Sequence, residues 1–347
     1  MMEEDKTNNP GNTSGSSRPP TSQDVARLAQ VSRATVSYVL NNVEDAGISE
    51  ATRQKVLQAA AELGYIPHKI ASSLRSGRSD LVLLPFINWP FNQNSMAFFQ
   101  ELALGLDRLG YSVMLHFFGQ SDKESLARKI ASFHPIGVIV GAKDLSNADV
   151  ELLSRNGVKA ILSYEASADS RIPSVFMDFT VVGKCVGEYF FAKGHRHIAA
   201  IVPGDERILH IGLQRLEGLQ RAAAESGLRV ERVDLDYDIK AAGALALKWK
   251  SGPHPSGVFT YNDEYGLLLM GALQDAGLAI PGDIALIGCD DLPLCEMVRP
   301  RLSSVNNPSG ILVENFVTAF HRMIQGGGQQ GHSELPWACQ VIVRDSG

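Results

Sequence analysis

The stretch Thr21-Ser22-Gln23-Asp24-Val25-Ala26-Arg27-Leu28-Ala29-Gln30-Val31-Ser32-Arg33-Ala34-Thr35-Val36-Ser37-Tyr38-Val39-Leu40-Asn41 decides the reading of the whole chain. Its apolar positions recur at helical spacing in two short pieces. The first runs from about Ser22 to Ala29 with Val25 and Leu28 inward. The second starts at Ser32, a side chain suited to capping a helix, and sets Val36, Val39 and Leu40 on one stripe at i, i+3 and i+4. Only Gln30 and Val31 lie between them, which leaves room for a tight turn and little else. Two helices across so short a turn form a helix-turn-helix, whose second helix fits a DNA major groove with its N-terminal side chains on base edges. Arg33, Ala34, Ser37 and Tyr38 fall on the outward face, and Thr35 and Ser37 carry hydroxyls suited to phosphate oxygens. Spacing alone leaves another reading open: a small helical subdomain whose Ser and Thr residues are only caps and surface.

Working outward, residues 1–20 are rich in Asn, Gly, Ser and Pro without periodicity, the composition of a disordered arm. A third helix starts at Ser49, turns Val56, Leu57, Ala60 and Leu63 inward and stops at Gly64. After Tyr65-Ile66-Pro67, the segment His68 to Gly77 has Ile70, Ala71 and Leu74 at helical spacing but is too short to hold as a helix alone in water. From Leu81 the pattern changes to short apolar runs alternating with amphipathic helices, the signature of a parallel α/β sheet. The strands expected are Leu81 to Phe86, Val113 to Phe117, Val138 to Val140, Ala160 to Ser163, Ser174 to Met177, Ile198 to Val202, Val230 to Leu235, Val258 to Thr260 and Ala285 to Gly288. That many βα units implies two similar lobes.

Composition narrows the function. Of 347 residues 44% are apolar and 20% charged, a globular balance with material for two or three domains. No long uncharged apolar run occurs and the first twenty residues are polar, which argues against a secreted or membrane protein and for a cytoplasmic one. Cys185, Cys289, Cys295 and Cys339 match no zinc spacing, so reduced thiols are expected, with no disulfide, no metal and no cofactor. The net charge of -6 is uneven: Thr21 to Arg78 holds seven Lys/Arg against five Asp/Glu, whereas the 269 residues after it carry -7. A slightly basic module ahead of an acidic body suits contact with nucleic acid through the module alone. No phosphate-cradling, zinc-protease or serine-hydrolase motif is present, and His195 with His197 read as structural, so no catalytic residue is expected and the chain is not read as an enzyme.

Thr21 to Asn41, then Ser49 to Arg53, then Gly64-Tyr65-Ile66-Pro67, strongly resemble the headpiece of the lactose/galactose repressor (LacI/GalR) family of bacterial transcription regulators. Further landmarks are Gly194-His195-Arg196-His197-Ile198-Ala199, Arg215-Leu216-Glu217-Gly218 and the stretch Leu278 to Leu292. The resemblance implies an all-α helix-turn-helix headpiece over 21–66 and a hinge helix over 67–78. It also implies an α/β two-lobed, periplasmic-binding-protein-like effector domain over 79–347, with crossovers near 177–181, 303–307 and 333–337.

By the same resemblance, Arg33 and Ala34 choose operator bases, with Arg33 the candidate for a bidentate contact to guanine, while Thr21, Thr35, Ser37 and Asn41 position the DNA backbone. Tyr38 stands where the family usually has Arg, so its base contact does not transfer. Leu74 occupies the position of the leucine wedge that enters the minor groove, Ala71 allows close approach, and Lys69 supplies phosphate charge. In the body, Asp290 matches an acceptor of effector hydroxyls and Arg215 a donor from the opposite side. Asn262 and Asp263 follow a strand end, where ligands of open α/β sheets bind. Trp89 is a candidate for stacking on a sugar face or a nucleobase, and Asp178 matches a residue at the first crossover. For Asp290, Asp263 and Asp178 a helix or hinge cap is the competing reading, and for Trp89 a packed loop residue. The implied function is a homodimeric repressor that binds a double-stranded operator under the control of a small molecule, a sugar foremost. A solute-binding transport receptor sharing the body fold is the alternative.

Overall fold

The computed structural model describes residues 18–40, 46–66, 79–87, 93–119, 125–165, 171–306, 309–327 and 331–347. The chain divides into two compact units between Arg78 and Ser79.

The first unit is built from helices α1 (Ser22–Leu28), α2 (Arg33–Leu40) and α3 (Glu50–Glu62). A capping box starts α1: the Thr21 hydroxyl accepts from the Asp24 N–H, and the Asp24 carboxylate accepts from the Thr21 backbone. Hydrogen bonds from Thr21 hold the Asp24 carboxyl below its ordinary value. The helix ends in a turn whose Gln30 takes a left-handed φ of 55° while the Val31 N–H returns 3.0 Å to the Ala26 carbonyl. Val25, Ala26, Ala29, Val36, Val39, Val56, Ala59 and Ala60 form the core. Two inward assignments are corrected: Leu28 and Leu57 are exposed. In α3 the buried stripe is Val56, Ala59, Ala60 and the partly buried Leu63, at i, i+3, i+4 and i+7, and Leu57 lies one residue's rotation away from it.

The second unit has two parallel-based sheets with equivalent strand orders, differing in the direction of the edge strand. The first sheet runs β11-β5-β4-β3-β1-β2 and the second β12-β10-β9-β8-β6-β7. In the first, β1 is Leu81–Ile87, β2 Ser112–Phe118, β3 Gly137–Val140, β4 Ala160–Ser163, β5 Ser174–Phe176 and β11 His332–Glu334. In the second, β6 is His197–Pro203, β7 Arg229–Leu235, β8 Gly257–Phe259, β9 Ala285–Cys289, β10 Ser303–Val305 and β12 Val341–Ile342, with β12 antiparallel to β10. Strands such as β3, β4 and β9 are buried along their whole length, as helices on both faces require.

The helices between them are α4 (Gln93–Asp107), α5 (Leu126–Ser132), α6 (Asn147–Arg155), α7 (Thr180–Ala192), α8 (Glu206–Ser226), α9 (Ile239–Ser251), α10 (Asp263–Asp275), α11 (Leu294–Met297) and α12 (Ser309–Ile324). The chain passes between the sheets after β5, after β10 and between β11 and β12, because α7 packs on the second sheet and α12 on the first. Among the described residues no helix is long and apolar enough to cross a membrane.

Candidate functional site

In the first unit, α2 presents a polar face. Val36 and Val39 are buried, while Arg33, Ala34, Ser37 and Tyr38 are exposed on the other side of the helix. Ser32 opens the helix, its hydroxyl 3.0 Å from the Thr35 N–H and 2.9 Å from the Thr35 hydroxyl, so Thr35 is partly spent on the cap. Thr21 is likewise engaged, donating its hydroxyl to Asp24 at 2.7 Å. Asn41, Lys69, Ala71, Leu74 and Trp89 lie outside the described residues.

In the second unit a cavity of about 350 Å³ opens between the two sheets' ends. The helix after the first strand of each sheet supplies a wall: Asn94, Ser95, Phe98 and Phe99 come from the first two turns of α4, and Ile208, His210, Ile211, Gln214 and Arg215 from α8. Both helices follow the first strand of their sheet, so their opening turns stand where ligands of such sheets bind. Loops after the strands add Lys143, Tyr164, Glu165, Asp178, Phe179, Tyr261 and Asp290.

Arg215 is 6% exposed. One terminal nitrogen donates to the Tyr261 carbonyl, and the other stands 3.7 Å from Oδ1 of Asp290. Its guanidinium lies 5.0 Å from the Tyr261 ring centre and 5.5 Å from that of Phe179, a cation held between two aromatic faces. The Nε of Arg215 is buried without a hydrogen-bond partner. Close helix packing fixes where the arginine stands: a Cβ on Gly218 would meet the Thr180 carbonyl at 1.8 Å, and one on Gly183 the Arg215 carbonyl at 1.8 Å. The Arg-x-x-Gly spacing therefore couples a cleft cation to the glycine that lets α8 approach α7.

Asp290 follows β9 with φ 106°, and Asp291 has φ 50°, two successive residues in a region that L side chains rarely occupy. The turn is held by Asp290 N–H to the Val305 carbonyl at 3.0 Å, Asp291 N–H to the Ser304 hydroxyl at 3.0 Å, and Leu292 N–H to Asp263 at 2.8 Å.

Asp178 reaches the cavity while also capping α7, accepting from the Thr180 N–H at 2.9 Å and hydroxyl at 2.6 Å. Arg215, Asp290 and Asp178 are thus brought together in the cavity wall. Asn262 and Asp263 do not line it. Asn262 caps α10 by accepting from the Tyr265 N–H at 3.0 Å. Asp263 is 0% exposed, accepting from the Ser304 hydroxyl at 2.5 Å and from Leu292 in the turn that carries Asp290. Burial pushes Asp263 up to about 7 against those hydrogen bonds. Gly288 makes room for it, since a Cβ there would lie 2.1 Å from Oδ1 of Asp263.

The sequence reading missed a polar cluster at the first lobe's side of the cleft. His210 Nε2 approaches Glu165 Oε2 at 3.6 Å across the opening, with Asp144 behind Glu165 and Lys143 beside it. His210 lies five residues from Arg215 on α8, which no helical step spans, and Asp144 and Glu165 meet it only through the fold.

Residues 21–68 match the bacterial regulatory proteins of the lacI family, and residues 188–347 match the periplasmic binding protein-like domain. Catabolite control protein A of Priestia megaterium is 32% identical over 299 residues, 82% of this chain and 86% of that protein. The HTH-type transcriptional repressor PurR of Vibrio parahaemolyticus serotype O3:K6 is 27% identical over 339 residues, 94% of this chain and 98% of that one. The solved Lac repressor dimer bound to operator and the anti-inducer ONPF has a TM-score of 0.79 at 24% identity, covering 95% of this chain and 99% of that chain. A complex of the transcriptional regulator CelR with cellobiose has a TM-score of 0.64 at 26% identity, covering 94% and 100%.

Proposed function

We propose, from the premise that this chain belongs to the LacI family of bacterial regulatory proteins, that this DNA-binding transcriptional regulator is a cytoplasmic repressor, binding a pseudo-palindromic operator as a homodimer. A small ligand, a carbohydrate, controls it from the cleft. The observation that carries the DNA reading is the outward face of α2, where Arg33, Ala34, Ser37 and Tyr38 stand exposed opposite Val36 and Val39. Arg33 opens that helix, the end that reaches base edges when such a helix lies in a major groove, and its guanidinium matches the two acceptors of guanine. Thr21, Thr35, Ser37 and Asn41 contact phosphates, Leu74 with Ala71 enters the minor groove, and Lys69 adds phosphate charge.

The ligand reading rests on Arg215 and Asp290. A carboxylate beside a guanidinium, walled by Phe179 and Tyr261, offers acceptors and donors for hydroxyls and flat faces for a sugar ring. The partnerless Nε of Arg215 is a buried donor that a ligand oxygen would satisfy. CelR, of the same fold, is a cellobiose complex, which favours carbohydrate over other small metabolites. Asp178 contributes from the first lobe, and Trp89 stacks on the ligand. Asp290 and Arg215 serve ligand binding rather than catalysis. A ligand touching both lobes prefers one lobe angle, and that preference alters DNA affinity through linkage.

The test is selection of DNA from a random pool by the purified full-length protein at stated salt. The expected product is an inverted repeat, from which candidate sugars release the protein or to which they fasten it. No enrichment, with or without candidate metabolites, would overturn the DNA reading. An inverted repeat whose binding no sugar alters would overturn the carbohydrate reading alone.

A further inference from the structure

Cys185 and Cys339 are far apart in sequence and adjacent in the fold. Cys185 is on α7, and Cys339 is on the segment between β11 and β12, the last of the three passages between the lobes. Their side chains stand beside one another, with the Val341 backbone next to Cys185. Both pack against the core that α7 forms with β6 and β9. Each is half-buried, open enough for a small reagent, whereas Cys289 and Cys295 are buried. All four are free thiols here. Spacing along the chain held no sign of the pair, because only the return of the chain after β11 brings Cys339 to α7.

The two thiols are not equivalent. The neighbouring Cys339 and Val341 favour the charged form of Cys185, whose thiol is held below its ordinary value, while Cys185 and burial hold Cys339 well above. The buried Cys295 is pushed up by burial and by the Asp263 charge, which leaves it inert by comparison.

We propose that Cys185 and Cys339 form a reversible modification site, oxidised by a peroxide to an intrachain disulfide that fastens the segment between β11 and β12 to α7. The Cys185 thiolate attacks one peroxide oxygen, the O–O bond breaks, and the leaving hydroxide takes a proton to become water, so sulfur is oxidised to a sulfenic acid and peroxide reduced. The Cys339 sulfur then attacks the Cys185 sulfur, the S–O bond breaks, and the departing hydroxide leaves as a second water with the Cys339 proton. Two thiols and one hydrogen peroxide thus give one disulfide and two waters. A dithiol reverses the change by exchange.

The reduced full-length protein, desalted and treated with a small excess of hydrogen peroxide, is digested and mapped by mass spectrometry. The expected product is a single peptide pair joined through Cys185 and Cys339, two hydrogens lighter than the sum of its parts and separated again by dithiothreitol. In Cys339→Ser, Cys185 should instead accumulate as sulfenic acid trapped by dimedone. Hydrogen exchange across residues 335–340 should slow in the oxidised protein and recover on reduction. Overturning results are a wild-type Cys185 that stops at sulfenic or sulfinic acid, a disulfide between chains, or oxidation that falls first on Cys289 or Cys295. Unchanged exchange across 335–340 in a fully linked sample would overturn the fastening.

Discussion

Nε2 of His210 stands 3.6 Å from Oε2 of Glu165, a contact that joins α8 of the second lobe to the strand end of the first lobe across the cavity. Asp144 crowds the same place: a Cβ on Gly141 would lie 2.6 Å from Oδ2 of Asp144 and 3.0 Å from Oε1 of Glu165. Two carboxylates over one glycine raise the cost of charging both. Burial and then the Glu165 charge push Asp144 up to about 6, while burial, aided by Lys143 against Glu165, holds His210 below its ordinary value.

These shifts predict opposed pH effects on stability. Asp144 is raised in the folded chain, so its contribution is present at low pH and lost as pH rises through about 6. His210 is lowered, so its contribution is present above its ordinary value and lost as pH falls through the folded one. Acidification from neutral pH therefore brings a gain from one group and a loss from the other. Denaturation midpoints measured across this range should show Asp144→Asn falling behind the wild type as the solution is acidified, and His210→Gln drawing ahead of it. Variants that run parallel to the wild type would remove both assignments.

Asp263 acts on the cleft without lining it. Its carboxylate accepts from Ser304 and Leu292 and so braces the strained turn that carries Asp290. Asp263→Ala should cost about 1–3 kcal/mol of stability through lost hydrogen bonds, and amide exchange over Asp290, Asp291 and Leu292 should rise more than in β9. Exchange that rises equally in both would mean that the whole sheet loosened and that the bracing is not specific.

The helix-turn-helix and nine strands of the two sheets were legible because each carries its own periodicity or apolar run, as in Val36 with Val39 or the fully buried β9. Strands Ser303–Val305, His332–Glu334 and Val341–Ile342 were not, since the first two carry at most one apolar side chain, the third is two residues long, and all pair only once the lobes are assembled. The cleft was legible in the same uneven way. Arg215 and Asp290 sit in recognisable spacings, but Asn262 and Asp263 share the strand-end position of Asp290 and are spent on backbone N–H groups, a distinction that only geometry makes. The cluster of His210, Glu165 and Asp144 comes from three separate elements and left no linear trace.

Gly218 gives a test of how the cleft arginine is placed. A methyl group at this position meets the Thr180 carbonyl at 1.8 Å, so α7 and α8 must separate and carry Arg215 with them. Gly218→Ala should destabilise by at least the 1–3 kcal/mol or so of an overpacked core, and the ligand's effect on DNA binding should weaken with it. A methyl group on Gly243 in α9 would meet no atom within 4 Å, and Gly243→Ala should leave stability equal or raised by up to about 1 kcal/mol. Thermal midpoints of the two variants check this directly, and equal effects would mean that the loss reflects glycine removal in general.

Arg33 gives the corresponding test at the DNA face. It is exposed at the first position of α2, with Ala34 beside it and Ser37 one turn on, so its guanidinium has the reach and the freedom to meet a base edge. A bidentate contact to guanine predicts that Arg33→Ala loses about 1–3 kcal/mol per half-site and relaxes preference at one symmetric pair of operator positions. A contact to phosphate predicts something else: weaker binding to every sequence alike and a salt dependence shallower by about one charge per half-site. Repeating the random-pool selection with Arg33→Ala, and titrating the enriched operator at several salt concentrations, separates the two. An unchanged enriched motif with a flattened salt slope would move Arg33 from the base-reading set to the backbone-positioning set, alongside Thr21 and Ser37.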